Sequence, residues 1–256
     1  MKVSIIVPAY NEEKYIAACI ESLLDQEVPA DEILIINNNS TDDTVAIAKR
    51  YPVRIITETI QGMIPARNRG FNEAQYDIIA RTDSDARVPR DWIKQIKAHF
   101  KDGKLVAVSG PARFYDGLPD IVQVRNWPAN VFFEAFKQAF KHDFLFGPNM
   151  ALRKKVWEKA KDKVCMNDKD VHEDIDLSLH LITYGKILFD RQLVVSASFR
   201  RWKKLTPYIE YPYRSIKTIR RHKETLLERE GKKFVRRVIA KHRSITTHLR
   251  RKPIIR

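Results

Sequence analysis

Short runs of branched apolar residues alternate along the chain with stretches whose apolar positions recur every three or four residues. Val3-Ser4-Ile5-Ile6-Val7 reads as a buried strand, closed by Pro8, which cannot donate to a ladder. Ile16, Ile20, Leu23 and Leu24 recur at helical spacing and predict an amphipathic helix over 12–26, with Asn11 as its N-cap and Glu12 and Glu13 in its first turn. A second strand follows over 32–36, a turn over 37–40, a second helix over 41–50 and a third strand over 53–57. Strand, helix, strand, helix, strand is the signature of a parallel, doubly wound sheet. Residues 62–70 read as a loop that enters a helix through Phe71 and Ala74. Ile78-Ile79-Ala80 predicts a further buried strand, 91–100 an amphipathic helix and 105–109 another strand.

Beyond residue 115 the pattern changes. Phe132, Phe136 and Phe140 stand four apart, with Trp127, Phe133, Phe144 and Phe146 nearby; they suit either a helix buried on the sheet or an apolar acceptor groove. Residues 147–151 read as a turn into a short segment, and Val156-Trp157 opens a helix. Another helix begins at 171–176, and short strands are expected at 187–189 and 193–195.

Charge adds an asymmetry. The chain of 256 residues has a formal net charge of +15. From Phe199 onward there are 20 Lys/Arg against 4 Asp/Glu, leaving 27 against 28 in the first 198 residues. The chain is thus a neutral body with a basic tail. Phe234, Val235, Val238, Ile239 and His242 share a helical face that Lys232, Lys233, Arg236, Arg237 and Lys241 flank. A basic amphipathic helix of this kind suits an anionic membrane interface, or a helix packed on its own domain with a solvated basic face. No apolar run approaches the ~18 residues of a membrane span. The N-terminus does not read as a signal peptide, since Asn11-Glu12-Glu13 follows five apolar residues too closely. Cys19 and Cys165 offer neither a disulfide framework nor metal-ligand spacing, and a cytoplasmic protein is expected.

The chemistry centres on Tyr76 to Ala86, YDIIARTDSDA. Asp83 and Asp85 stand one residue apart at the C-terminal end of a buried strand, where open α/β sheets bind ligands. Like charges this close repel, and a hard dication such as Mg²⁺ or Mn²⁺ relieves the repulsion. A solvated acidic turn has the same composition.

Taken in order, VPAYNEEKYIAACIESLLDQ at 7–26, NNNSTDDT at 37–44, GMIPARNRG at 62–70, DSDA at 83–86, GPNMALRK at 147–154 and HEDIDLS at 172–178 resemble the family 2 glycosyltransferases over residues 1–200. The resemblance implies a GT-A fold, with a nucleotide-binding half at 1–115, an acceptor half at 116–200 and a basic, largely helical extension at 201–256. It implies inverting transfer from a nucleotide-sugar donor to a sugar or lipid-linked acceptor, in building a glycolipid or surface polysaccharide. It places Pro8, Ala9, Tyr10, Glu12, Asn37, Arg67 and Asp83 around the nucleotide, and Asp83 and Asp85 on the metal. It puts the base in Glu173-Asp174, assigned to Asp174, and Arg200 or Arg201 near the diphosphate. Asn37 stands where the family commonly has aspartate, which leaves the donor base open. Arg201-Trp202 lacks the glutamine of the processive QxxRW motif, Ser198 standing in its place, which favours addition of single sugars.

Two other classes compete. A sugar-nucleotide nucleotidyltransferase would need a glycine-rich, lysine-bearing loop after the first strand, and PAYNEEKY is not one. A nucleic-acid-binding protein would account for the tail, but the neutral body and acidic strand ends argue against that as the main function.

Overall fold

A computed structural model of the chain describes residues 1–116, 137–138, 142–166, 171–203 and 206–222. Most of the aromatic segment and the amphipathic stretch at 232–242 lie outside these residues. The alternation of apolar runs and amphipathic stretches folds into three layers. Strands β1 (Val3–Ala9), β2 (Glu32–Asn37), β3 (Arg54–Thr57), β4 (Ile78–Thr82), β5 (Leu105–Ser109), β7 (Asn149–Arg153) and β8 (Lys186–Phe189) form one sheet in the order β3-β2-β1-β4-β7-β5-β8. All neighbours in it run parallel except at β7, which is antiparallel to both β4 and β5. A small second sheet pairs β6 (Ala112–Phe114) with β9 (Val195–Ala197), two residues past the start expected for that strand.

The strands are apolar on both sides because both sides are covered. Ile6, Leu34, Ile36 and Leu152 join one core with Phe71 and Ala66 of α3 (Met63–Glu73), Val156 and Trp157 of α5 (Lys154–Ala160), and Ile175 and Leu179 of α6 (Glu173–Leu181). Their neighbours Ile5, Val7, Ile33 and Ile35 face the other core. There they meet Ile16 and Ile20 of α1 (Ile16–Leu24), Ala48 of α2 (Thr44–Ala48), and Trp92 and Ile96 of α4 (Trp92–His99). A last helix, α7 (Thr206–Arg221), follows a single 3-10 turn at Arg200–Lys203. Among the described residues no helix is long and apolar enough to cross a membrane.

Four local expectations are corrected. Pro8 does not end β1. The Ala9 carbonyl accepts from Asn38 N–H, so Ala9 faces β2 and Pro8 faces the opposite side, where pairing with β4 has stopped at Ile6 and Arg81. The missing N–H is therefore not needed. Asn11 is not an N-cap. It has φ 53°, its Oδ1 accepts Thr41 N–H at 2.8 Å, and α1 begins only at Ile16. Residues 63–70 are helix rather than loop: Pro65 sits in the first turn of α3, where its lost donor is not required, and Gly62, which precedes the helix, has φ +149°. A Cβ on Gly70 would stand 2.2 Å from Ile6 Cγ2, so this glycine lets α3 lie against β1. Finally, 149–153 is the central antiparallel strand, where a turn had been expected.

Candidate active site

The C-terminal ends of β1, β2 and β4 gather most of the residues singled out in the sequence. Pro8 and Ala9 are buried at the end of β1, while Tyr10 beyond them is half exposed. Asn37 ends β2, and its Oδ1 accepts Ser40 N–H at 3.0 Å, which makes the turn that follows.

Asp83 and Asp85 follow β4. Burial, and then the neighbouring Asp83 charge, push Asp85 up to about 6, against the pull of Arg200. Arg200 comes from the far end of the chain. It is carried there by β9, which pairs with β6 and is bridged to Arg87 through two backbone hydrogen bonds of 2.7 and 2.9 Å with Ser196. Its Nε donates to Asp85 Oδ2 at 3.0 Å, a second nitrogen donates to Glu12 Oε1, and the guanidinium lies 4.4 Å from the Tyr15 ring centroid. Glu12 is thus a buried partner of Arg200, not a residue of the first turn of α1. Burial raises its pKa in spite of that pairing, and its Oε2 has no hydrogen-bond partner among the described residues. Arg201 turns elsewhere, its guanidinium 5.5 Å from the Tyr211 ring centroid on α7.

Glu173 and Asp174 begin α6. The link between them and the acidic turn is Arg81, a fully buried guanidinium on β4. Its Nη2 donates to Glu173 Oε1 at 2.9 Å and to Asp83 Oδ1 at 3.3 Å, and its Nη1 lies 3.7 Å from Asp174 Oδ1. One side chain therefore ties both acidic motifs together. Arg67 is equally buried. Its Nη1 donates to the Glu173 carbonyl at 3.0 Å and lies 3.6 Å from Glu173 Oε2, while Nε and Nη2 donate to Asn68. The resemblance places Arg67 around the nucleotide; in the fold its guanidinium is engaged by Glu173 and Asn68, where it braces the carboxylate pair.

The two carboxylates differ in environment. Burial raises Glu173, but Arg81 and Arg67 outweigh it and hold the group below its ordinary value. Asp174 is pushed up to about 7 by burial and by the Glu173 charge, against Arg81 and the Gly147 N–H. That N–H donates to Asp174 Oδ2 at 2.9 Å, while Oδ1 accepts no hydrogen bond among the described residues. A Cβ on Gly147 would stand 3.1 Å from both Asp174 oxygens and from Arg81 Nη2, so a side chain here would press on those atoms and make them give way.

Sequence reasoning assigned no role to Arg81 or Gly147. The signal for Arg81 was present: a charge in the middle of an apolar strand is rarely buried without a partner. Gly147 carried no such signal.

For a hard dication the donor set fits. Two carboxylates one residue apart share a partly buried turn, one of them pushed towards its neutral form by burial and then by its neighbour, and a guanidinium already answers part of that charge.

A glycosyl transferase family 2 model matches residues 4–160, more than half of the chain. The chain belongs to glycosyl transferase family 2. It is 31% identical over 135 residues to a dolichol-phosphate mannosyltransferase of Pyrococcus furiosus, covering 50% of this chain and 36% of that protein. This family 2 chain spans about a third or less of the length of the curated relatives it matches. Its fold is similar to that of a Pyrobaculum calidifontis mannosyltransferase solved with GDP-Man and Mn²⁺, at TM-score 0.68 and 22% identity over 86% of this chain and 64% of that one. It is also similar to a Mycobacterium tuberculosis glucosyl-3-phosphoglycerate synthase solved with Mn²⁺, UDP and phosphoglyceric acid, at TM-score 0.60 and 19% identity over 89% of this chain and 78% of that one. The fold is therefore GT-A.

Proposed function

We propose that this chain transfers a sugar from a nucleotide-sugar donor to a hydroxyl acceptor, with inversion at the anomeric carbon and with Mg²⁺ or Mn²⁺ held by Asp83 and Asp85. The observation that carries this reading is the Arg81 bridge, which brings the acidic turn and Glu173-Asp174 together. The neighbours solved with Mn²⁺ and with GDP-Man or UDP lend it support.

When bound, the cation offsets charge that develops on the departing nucleoside diphosphate. The chain's own residues do the rest. Pro8, Ala9, Tyr10 and Asn37 frame the nucleoside at the ends of β1 and β2. Arg200 exchanges part of its contact with Asp85 and Glu12 for the diphosphate, the planar guanidinium being suited to phosphate oxygens. The acceptor oxygen bonds to the anomeric carbon, the bond from that carbon to the diphosphate oxygen breaks with its electron pair leaving on the diphosphate, and the acceptor proton passes to Asp174 Oδ1. An acid near 7 suits a general base at neutral pH. Glu173 stays ionised on its two guanidinium groups and holds Arg81 in place.

A lipid-linked acceptor at an anionic membrane surface fits the basic stretch over 232–256. Removing those residues should release the protein from anionic liposomes in a flotation assay. Equal flotation of both forms would end that part of the proposal.

The main test mixes the purified chain with a panel of nucleotide sugars and alcohol acceptors, with Mn²⁺ or with a chelator. Nucleoside diphosphate release is followed, and the product anomer is read by proton NMR. Metal-dependent release with an inverted anomer is expected. A retained anomer, or release unaffected by the chelator, would overturn the proposal.

A further inference from the structure

Away from the strand ends, α6 meets the end of α7 through three ionisable side chains. Asp176 and His180 stand four apart on α6 and so share one face. His222, just after α7, meets them. Its Nε2 lies 2.8 Å from Asp176 Oδ1, and His180 Nε2 lies 3.8 Å from the same oxygen. One ligand atom from each residue fits within a 4.8 Å span. The two imidazoles meet edge to face with centroids 4.7 Å apart. Asp176 Oδ2 accepts Cys165 N–H at 2.8 Å, which anchors the carboxylate and leaves Oδ1 for the histidines.

We propose that Asp176, His180 and His222 bind a divalent ion of the Zn²⁺ class, which fastens α7 to the helix that carries Glu173 and Asp174. Two imidazole nitrogens and one carboxylate oxygen suit Zn²⁺ better than Mg²⁺ or Mn²⁺, which favour oxygen donors. Ligand atoms about 2 Å from a tetrahedral ion stand roughly 3.3 Å apart. The 2.8 and 3.8 Å separations from Asp176 Oδ1 straddle that value, and with all three ligand atoms within 4.8 Å of one another side-chain rotations close the site. Asp176 and Cys165 are buried and His180 is partly exposed, which gives an ion a rigid base and a way in. The site matters to the cleft because α7 also supports the start of α6. Thr218 Oγ1 accepts His172 N–H at 2.8 Å, and the Tyr211 ring lies 5.5 Å from the His172 ring, next to Glu173. The inference does not depend on the proposed transfer reaction.

The test uses the full chain with Asp85→Ala, so that the acidic turn contributes little, stripped by a chelator and titrated with Zn²⁺ or Co²⁺ alone. Expected are one Zn²⁺ per chain by calorimetry, a rise in Tm of about 5 °C or more at a hundredfold excess over Kd, and intense visible Co²⁺ absorption typical of a nitrogen-ligated ion of low coordination number. All three should vanish in His180→Gln/His222→Gln. Failure to bind Zn²⁺, or the same stoichiometry and spectrum in the double variant, would overturn the proposal. If the double variant does not fold, NMR of the unaltered chain decides: Zn²⁺ must shift the ring signals of both His180 and His222, and unchanged signals reject the site.

Discussion

Asp174→Asn separates the chemical role proposed for this carboxylate from its cost to the fold. In the fold, burial and the Glu173 charge push Asp174 up to about 7 from the ordinary 3.8. Below pH ~4 the folded and unfolded chains both hold the proton. Between pH ~4 and ~7 the unfolded chain releases it and the fold keeps it, so wild-type stability falls as pH rises through that window. Above about 7 the fold carries the anion at full cost, on the order of 4 kcal/mol at 1.36 kcal/mol per pH unit. An amide cannot ionise, and its oxygen can still accept the Gly147 N–H. The variant should therefore be more stable than wild type at pH 8, with Tm raised on the order of 10 °C, and should lose most of that advantage at pH 4.5. Transfer at pH 8 should fall at least ~100-fold, the usual contribution of a general base. Thermal unfolding at the two pH values and one transfer assay give the answer. No stabilisation at pH 8, or an equal gain at both pH values, would refute the account of Asp174 as a buried, strained acid.

Three further outcomes follow from the same geometry. Gly147→Ala should cut transfer at least ~10-fold with the circular dichroism spectrum unchanged, because its methyl group would press on both Asp174 oxygens from 3.1 Å; an unaltered kcat would show that the close approach is unimportant. Arg200→Ala should strengthen binding of Mn²⁺ alone, by removing a competing cation from Asp85, and weaken nucleoside diphosphate binding in the presence of Mn²⁺; calorimetry reads both, and weaker Mn²⁺ binding would mean that Arg200 supports the cation site. Trp92→Phe should cost ~1–3 kcal/mol in urea unfolding, since it leaves the buried Asn149 Oδ1 without the Nε1–H donor now at 2.9 Å; a cost below ~0.5 kcal/mol would place little weight on that bond.

Much of the sheet was legible in the sequence because strands buried on both faces are written as plain apolar runs, as in Val3–Ala9, Glu32–Asn37 and Ile78–Thr82. Asn149–Arg153 was not. It offers three apolar residues between Pro148 and a basic pair, and its place is set by Ile78–Thr82 and Leu105–Ser109, which are distant in sequence. Residues 62–70 misled for a different reason: two glycines and a proline mark a loop locally, yet here they start a helix and fit it against Ile6. Asp83 and Asp85 were singled out by spacing and strand position, and Glu173 and Asp174 by the family resemblance. Arg81 and Gly147 acquire their meaning only in three dimensions, Arg81 by meeting a glutamate 92 positions along the chain.

That meeting bears on which of two adjacent carboxylates can serve as the base. Glu173 and Asp174 share burial, but they do not share cations equally. Arg81 and Arg67 both reach the Glu173 carboxylate, while among the described residues only Arg81 comes within 4 Å of that of Asp174, at 3.7 Å, and Arg67 acts on it from farther away. The result pushes the two groups apart, Glu173 down and Asp174 up. A carboxylate held by two guanidinium groups has little affinity for a proton. Its neighbour, repelled by that same charge and anchored through one oxygen by Gly147, keeps the other oxygen for one. Environments that separate the pKa values of paired acids commonly mark a division of roles. Here the division favours Asp174 as the acceptor of the proton and Glu173 as the fixed charge that raises it.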